Sequence, residues 1–389
     1  MEFEYAPEDI EFRARVRRWL DRNKPKEPRP DDGLAMRNFD LAWQKRKFEG
    51  GWAGIAWPRE HGGLGLSTVR QMIWHEECAY ARAPLEGCLS IALNHAGPTI
   101  MAYGTEEQKA AYLPPILRGE VVWCQGFSEP GAGSDLAALR MRGRIEDDRL
   151  LLSGQKIWTS HAQVADYQET LIRTGPQTPK HKGLTWLICD MKAPGITIRP
   201  IRTIAGNRHF CEVFYEDVAV PLSNVVGGID DGWRVAMSTL SFERGGLSAG
   251  RAAELRYLLE ELIDLARDRM GPLGTGAAIE DGAIAAQLSI LRAKVASLQS
   301  MVYETVFSNC DGPPGPEASI DYLYCGELLQ QIRLLSLEIL GPDALEAEGP
   351  AERWTRSYLN DRYYLIAGGS AEIRRNIIAE RVLGLPRSY

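Results

Sequence analysis

The feature that most constrains the fold is a hydrophobic period that changes twice along the chain. Up to about residue 120 apolar residues recur at helical spacing: Phe12, Val16, Trp19 and Leu20 form one stripe, and Phe39, Trp43 and Phe48 suggest a second. Between Val121 and about Val226 the pattern shortens to alternating or β-branched runs. Thr170-Leu171-Ile172, Leu184-Thr185-Trp186-Leu187-Ile188, Ile196-Thr197-Ile198 and Cys211-Glu212-Val213-Phe214-Tyr215 are set apart by Gly, Pro and Asp. Beyond Gly232 the helical period returns, predicting helices over 232–243, 248–270, 283–309, 319–340, 352–364 and 371–383. Leu288, Leu291, Val295, Leu298 and Val302 make a stripe of the kind that buries in a bundle. A chain of 389 residues is long enough for two or three compact domains. The expectation is an α+β multidomain protein: a helical domain over 1–120, a β domain over 121–227 and an antiparallel four-helix bundle over 228–389.

Punctuation refines the first segment. Pro25, Pro28 and Pro30 end the first helix in a stiff linker. The glycine-rich run from Trp52 to Leu66 lacks the GxGxxG spacing and no strand precedes it, so it reads as a turn before a helix capped by Ser67 and running to about Arg82. Another helix is predicted from Leu85 to Tyr103. Thr105-Glu106-Glu107-Gln108 is a capping box whose helix Pro114-Pro115 should close. In the β segment, Gly175 to Lys182 reads as a mobile surface loop.

A formal charge of -7 gives no reason to expect nucleic acid or an anionic membrane as partner. No run approaches the ~18 apolar residues of a membrane span, and Met-Glu-Phe-Glu-Tyr is no signal peptide, so a cytoplasmic protein is expected. Seven scattered cysteines without a CxxC pair suggest reduced, mostly buried thiols. His75-Glu76-Glu77 lacks the second histidine of a zinc-protease helix, and no metal is expected.

Chemistry concentrates in two runs, Phe127-Ser128-Glu129-Pro130-Gly131-Ala132-Gly133-Ser134-Asp135 and Gln155-Lys156-Ile157-Trp158-Thr159-Ser160. Between them, Arg140 to Ile145 and Arg149 to Leu152 flank Asp147-Asp148 and predict a hairpin that brings the runs side by side. The first run offers hydroxyls and backbone donors in a glycine-rich loop. The second offers the plane of Trp158 with Ser160 two residues on, the same face of an extended strand. Together they suit a flat heterocycle. From these residues alone the competing reading is a tryptophan in a β core beside an ordinary turn.

The paired runs resemble the signature of the acyl-CoA dehydrogenase family, FAD enzymes that desaturate acyl-CoA thioesters, and the resemblance extends over nearly the whole chain. It implies a helical N-terminal domain, a β-barrel-like or β-sandwich middle domain and a C-terminal four-helix bundle. It implies that Gln125, Phe127 and Ser128 contact the flavin, that Trp158 lies against its ring system and that Ser160 bonds the hydride-accepting nitrogen. Ser134 would reach the substrate or the cofactor phosphates, and Ser370 and Glu372 would hold the pyrophosphate region. The implied partners are an acyl-CoA, an electron-transfer flavoprotein as electron acceptor, and further subunits in a homotetramer or heterotetramer.

Removing an α-proton and a β-hydride from a thioester requires a carboxylate base, donors on the thioester oxygen and an electron sink. The family's commoner base is a Glu before Gly-Thr. Here the matching run is Ala367-Gly368-Gly369-Ser370-Ala371-Glu372, so that position is Gly368, which has only a backbone N–H to offer the thioester oxygen. Members resembling isovaleryl-CoA dehydrogenase carry the base on an early helix of the C-terminal domain, just before an Arg, and this chain has Phe242-Glu243-Arg244 there. Glu243 is therefore the expected base and Arg244 its positioning partner, also toward the CoA. The competing reading pairs Glu243 with a helical neighbour on a solvated face. Relatives grip the adenine end of FAD through Arg-x-x-Phe-Gly and Gln-x-x-Gly-Gly. Here Arg267, Glu338 and Gly341 stand in Arg-Asp-Arg-Met-Gly and Glu-Ile-Leu-Gly-Pro, a departure resembling the branch for steroid or other ring-bearing acyl-CoAs. Two alternatives remain open: a non-catalytic or half-site subunit of a heterotetramer, and a flavin oxidase or monooxygenase on the same fold.

Overall fold

The computed structural model describes residues 5–242, 247–272, 274–308, 315–346, 348–349 and 351–386. Among the described residues five α-helices precede the strands: α1 (Pro7–Asn23), α2 (Gly33–Glu49), α3 (Thr68–Tyr80), α4 (Gly97–Tyr103) and α5 (Glu106–Leu117). The strands are β1 (Trp123–Gly126), β2 (Arg142–Glu146), β3 (Arg149–Ser160), β4 (Tyr167–Arg173), β5 (Leu184–Asp190), β6 (Ile196–Ile201) and β7 (Phe210–Pro221). Six more described α-helices follow: α6 (Gly232–Phe242), α7 (Leu247–Asp268), α8 (Gly282–Ser308), α9 (Ala318–Leu340), α10 (Glu352–Asn360) and α11 (Ala371–Ile377). No described helix is long and apolar enough to cross a membrane.

The chain packs as two compact units that interleave in sequence. The sheet unit comprises Asn23–Leu66 and Pro84–Glu243. Its strands form one sheet in the order β1-β4-β2-β3-β7-β6, with β5 on β4. The apolar runs of β4 and β5 are almost wholly buried, and Trp123 and Trp186 are enclosed in the core. The expected hairpin is present: Glu146 pairs with Arg149 and Ile145 with Leu150. Asp147 at the turn takes φ +52, which a short polar side chain tolerates. Its second arm continues without a break in the chain through the whole Gln155–Ser160 run.

Three local expectations change. The helix expected over 85–103 divides into a 3-10 turn (Gly87–Leu89), a π-helical segment (Ala92–Ala96) and α4. Asp40 sits directly under Gly87, where a Cβ would lie 2.3 Å from its carboxylate, and it accepts from Cys88 N. Pro98 has no N–H to give the Asn94 carbonyl, which favours the wider π spacing just before it. Pro114 and Pro115 do not close their helix either. Their carbonyls accept from Arg118 and Glu120, and the buried Ile116 and Leu117 hold one further turn on the core. The loop expected to be mobile wraps around Arg173, whose guanidinium donates to the carbonyls of Pro176, Lys180 and Lys182. The capping box at Thr105 and the Ser67 cap form as the sequence suggests.

The bundle unit comprises Met1–Arg22, Ser67–Ala83 and Arg244–Tyr389. Helices α7, α8 and α9 pack pairwise, α3 lies against α7 and α8, and α10 packs on α9. The Leu288 to Val302 stripe is buried as its spacing requires. His75, Glu76 and Glu77 are buried in α3; Glu76 and Glu77 pair with Arg13, and Glu77 also with Arg17.

Candidate active site

In the sheet unit the two sequence runs are fastened together. Lys156 is wholly buried, and its ammonium donates to the Phe127 carbonyl at 3.0 Å and to Glu129 at 2.9 Å. Burial pulls the lysine down to about 8 against the opposing pull of Glu129. The same carboxylate accepts from the backbone N–H groups of Arg140 and Met141, and Ile157 N donates to Ser128 O. Reciprocal bonds between Glu129 and Ala132 close the loop into a tight turn. Beyond it Gly131 and Gly133 face open space, and Ser134 is exposed. Phe127 itself is buried, while Ser128 is half-buried.

Trp158 is 57% exposed, so the core reading fails for it. Simple alternation does not put it beside Ser160. The register passes from Lys156 opposite Val213 to Thr159 opposite Cys211, one residue too many on β3. This bulge, with Trp158 at φ +60, returns Thr159 to the core face and leaves Trp158 outside. The indole lies edge-on to Phe210, 6.0 Å between centroids, and Phe210 is the cross-strand partner of Ser160. Two buried atoms alongside, Thr159 Oγ1 and His161 Nδ1, have no partner among the described residues. Burial drives His161 down to about 4, so its imidazole is neutral. An exposed indole with a half-buried serine two residues on fits a flat heterocycle such as the flavin ring, whereas Thr159 Oγ1 and His161 Nδ1 stay inside the fold.

Gln125, half-buried on β1, reaches His95 of the π-helical segment and Glu169 on β4. Neither His95 nor Glu169 was singled out from the sequence. The only signals were a charge inside the apolar run of β4 and a histidine two residues before Gly97-Pro98.

In the bundle unit, Gly368 and Gly369 take φ +64 and +102, which explains two glycines in a row. Arg374, 3% exposed, donates to both their carbonyls at 2.6 and 3.0 Å. Ser370 caps α11 through Ile373 N, and Glu372 is exposed, its carboxyl lowered by its own backbone N–H and by Ser370. The guanidinium groups of Arg374 and Arg251 both lie over the Tyr322 ring, 3.5 and 4.5 Å from its centroid. Arg251, Tyr322 and Tyr364 line a cavity of about 240 Å³. The remaining expected residues lie elsewhere in this unit: Arg267 pairs with Asp264 on the surface, Glu338 is exposed beside Gln287, and Gly341 ends α9. Glu243 and Arg244 lie outside the described residues.

Comparison with known proteins agrees along the length of the chain. Residues 6–120 match the acyl-CoA dehydrogenase N-terminal domain, 124–218 its middle domain and 230–383 its C-terminal domain. Acyl-CoA dehydrogenase IpdE1 of Mycobacterium tuberculosis is 37% identical, over 97% of this chain and 98% of that protein. Among solved structures, the Tcur3481-Tcur3483 steroid ACAD superposes with a TM-score of 0.87 at 31% identity, covering 100% of both chains. The ChsE4-ChsE5 complex of M. tuberculosis gives 0.86 at 32% identity, again over 100% of both.

Proposed function

The chain belongs to the acyl-CoA dehydrogenase family, FAD-dependent oxidoreductases acting on CH-CH bonds, and from that premise we propose that it converts a ring-bearing or branched acyl-CoA to the trans-2-enoyl-CoA with Glu243 as base. FAD, when bound, supplies the hydride acceptor. The observation that carries the assignment is Gly368: the commoner base position has no side chain, while Glu243-Arg244 stands at the alternative one. Glu243 takes the α-proton, and Arg244 orients it and meets the CoA portion. The Gly368 N–H donates to the thioester oxygen, a contact of a kind worth ~3 kcal/mol in a transition state. Trp158 and Ser160 seat and orient the flavin ring; Gln125, Phe127, Ser128 and Ser134 line its approach; Ser370 and Glu372 receive the pyrophosphate region.

A missing side chain at 368 and Gly245-Gly246 after the base leave volume for a ring, and likeness to a steroid ACAD supports that substrate class. The altered runs at Arg267 and Glu338, with likeness to the ChsE4-ChsE5 complex, favour assembly with an unlike subunit. Segments 1–120, 121–227 and 228–389 are the proposed functional modules. Electrons leave to an electron-transfer flavoprotein, in the cytoplasm.

The test is anaerobic mixing of the purified protein with a panel of acyl-CoAs while flavin absorbance is followed. Ring-bearing or branched thioesters should bleach it fastest. Faster turnover of octanoyl-CoA contradicts the substrate class, and no bleaching by any thioester contradicts the reaction.

A further inference from the structure

The sheet unit buries an acid and an imidazole that no step above uses. Glu169 is fully buried on β4, directly opposite Gln125 of β1 in the parallel register, and His95 is 5% exposed. Gln125 Nε2 lies 2.7 Å from Glu169 Oε1 and 3.1 Å from His95 Nδ1. A carboxylate can only accept, and His95 Nδ1, which also lies 3.4 Å from Glu169 Oε1, accepts from the amide in the tautomer that carries its proton on Nε2. Both are served by the amide N–H groups of Gln125. A primary amide has two such hydrogens, so both are committed inward and the orientation of the amide is fixed. Its carbonyl oxygen is left over. Among the described residues nothing donates to that oxygen, and it is not one of the buried atoms without a partner. Gln125 is half-buried where Cys124 and Gly126 on either side are buried, so the free acceptor stands at an opening.

We propose that Glu169 and His95 are positioning residues that lock Gln125 as a hydrogen-bond acceptor for an N–H or O–H donor on a bound molecule. This deepens the function proposed above and rests on it only for the identity of that molecule. Two sources carry such a donor: the imide N–H of the flavin ring and a hydroxyl on the acyl group. Phe127 and Ser128, assigned above to the flavin's approach, follow Gln125 directly, which favours the imide.

The experiment compares the full-length protein, with any subunit that co-purifies, reconstituted with FAD or with FAD methylated at the imide nitrogen. The wild type should bind FAD about tenfold more tightly. Glu169→Gln keeps the volume but offers N–H groups of its own, releasing the amide to turn. Gln125→Met removes the acceptor. Both should narrow the ratio to below about twofold, and Glu169→Asp should restore part of it. A parallel arm takes the KM ratio of hydroxylated and deoxy ring-bearing thioesters. If the flavin ratio is flat and this ratio narrows in the variants, the donor is on the acyl group. Ratios in both arms unchanged from wild type in a folded variant overturn the proposal. Should Glu169→Gln fail to fold, the half-buried Gln125→Met decides in the same way. A chain that binds neither flavin contradicts the family-based function instead.

Discussion

Two glycine-bearing loops carry the candidate chemistry, and they are fastened differently. The loop at 127–135 is held by an ion pair: Lys156 is fully buried against Glu129, whose second duty is to two backbone N–H groups. The loop at 366–370 is held by a buried Arg374 that spends its donors on the carbonyls of Gly368 and Gly369. In both, a buried cation is a fastener rather than a reactant. In the first the loop supplies the carboxylate that answers it. In the second the loop has no side-chain carboxylate, and the cation answers main-chain dipoles. The difference teaches where the acid chemistry is absent as much as where it is present, because the loop at 368 keeps its shape without a glutamate.

The largest expected effect breaks the first fastening. Lys156→Met leaves the half-buried Glu129 carboxylate without its counter-charge, held only by two backbone N–H groups, and should cost about 3 kcal/mol in urea unfolding, with loss of bound flavin. Arg374→Gln removes two charge-assisted bonds and should cost about 2–3 kcal/mol, measured in the same way.

A carboxyl elsewhere in the bundle unit sharpens the comparison, because it has no cation. Asp321 in α9 accepts from Thr305 at 3.1 Å, and among the described residues no cation pairs with it. Burial raises it from 3.8 to about 6, against a smaller lowering by Thr305. The folded state therefore holds a proton that the unfolded chain has released between these values. That stabilisation is present below about 4 and lost as pH rises through about 6. Asp321→Asn should be more stable than wild type by about 2 kcal/mol at pH 8, with the gain vanishing near pH 4. The smallest effect is Ser370→Ala, about 0.5 kcal/mol, since its capping bond is long at 3.4 Å. Both are read from denaturant midpoints.

Much of this was legible in the sequence. The period change, the hairpin at Asp147-Asp148, the Thr105 capping box and the buried stripe of α8 depend on local residues, and local residues suffice to show them. The bulge at Trp158 was not legible, because it is set by the register against β7. Strand alternation, from which a shared face for Trp158 and Ser160 was expected, does not hold across that bulge. The fastening of the 175–182 loop by Arg173 and the meeting of His95, Gln125 and Glu169 join residues far apart in sequence, and no spacing rule announces them. The prolines at 114 and 115 misled because tertiary burial of Ile116 and Leu117 outweighs a local breaker.

The central claim, that Glu243 does the work of a glutamate that position 368 lacks, is tested most directly by moving the carboxylate. Flavin bleaching is followed anaerobically with a thioester that the wild type reduces readily. The account predicts that Glu243→Gln stays yellow and unbleached, and that adding Gly368→Glu to it restores measurable bleaching. Bleaching by Glu243→Gln alone at the wild-type rate would contradict it.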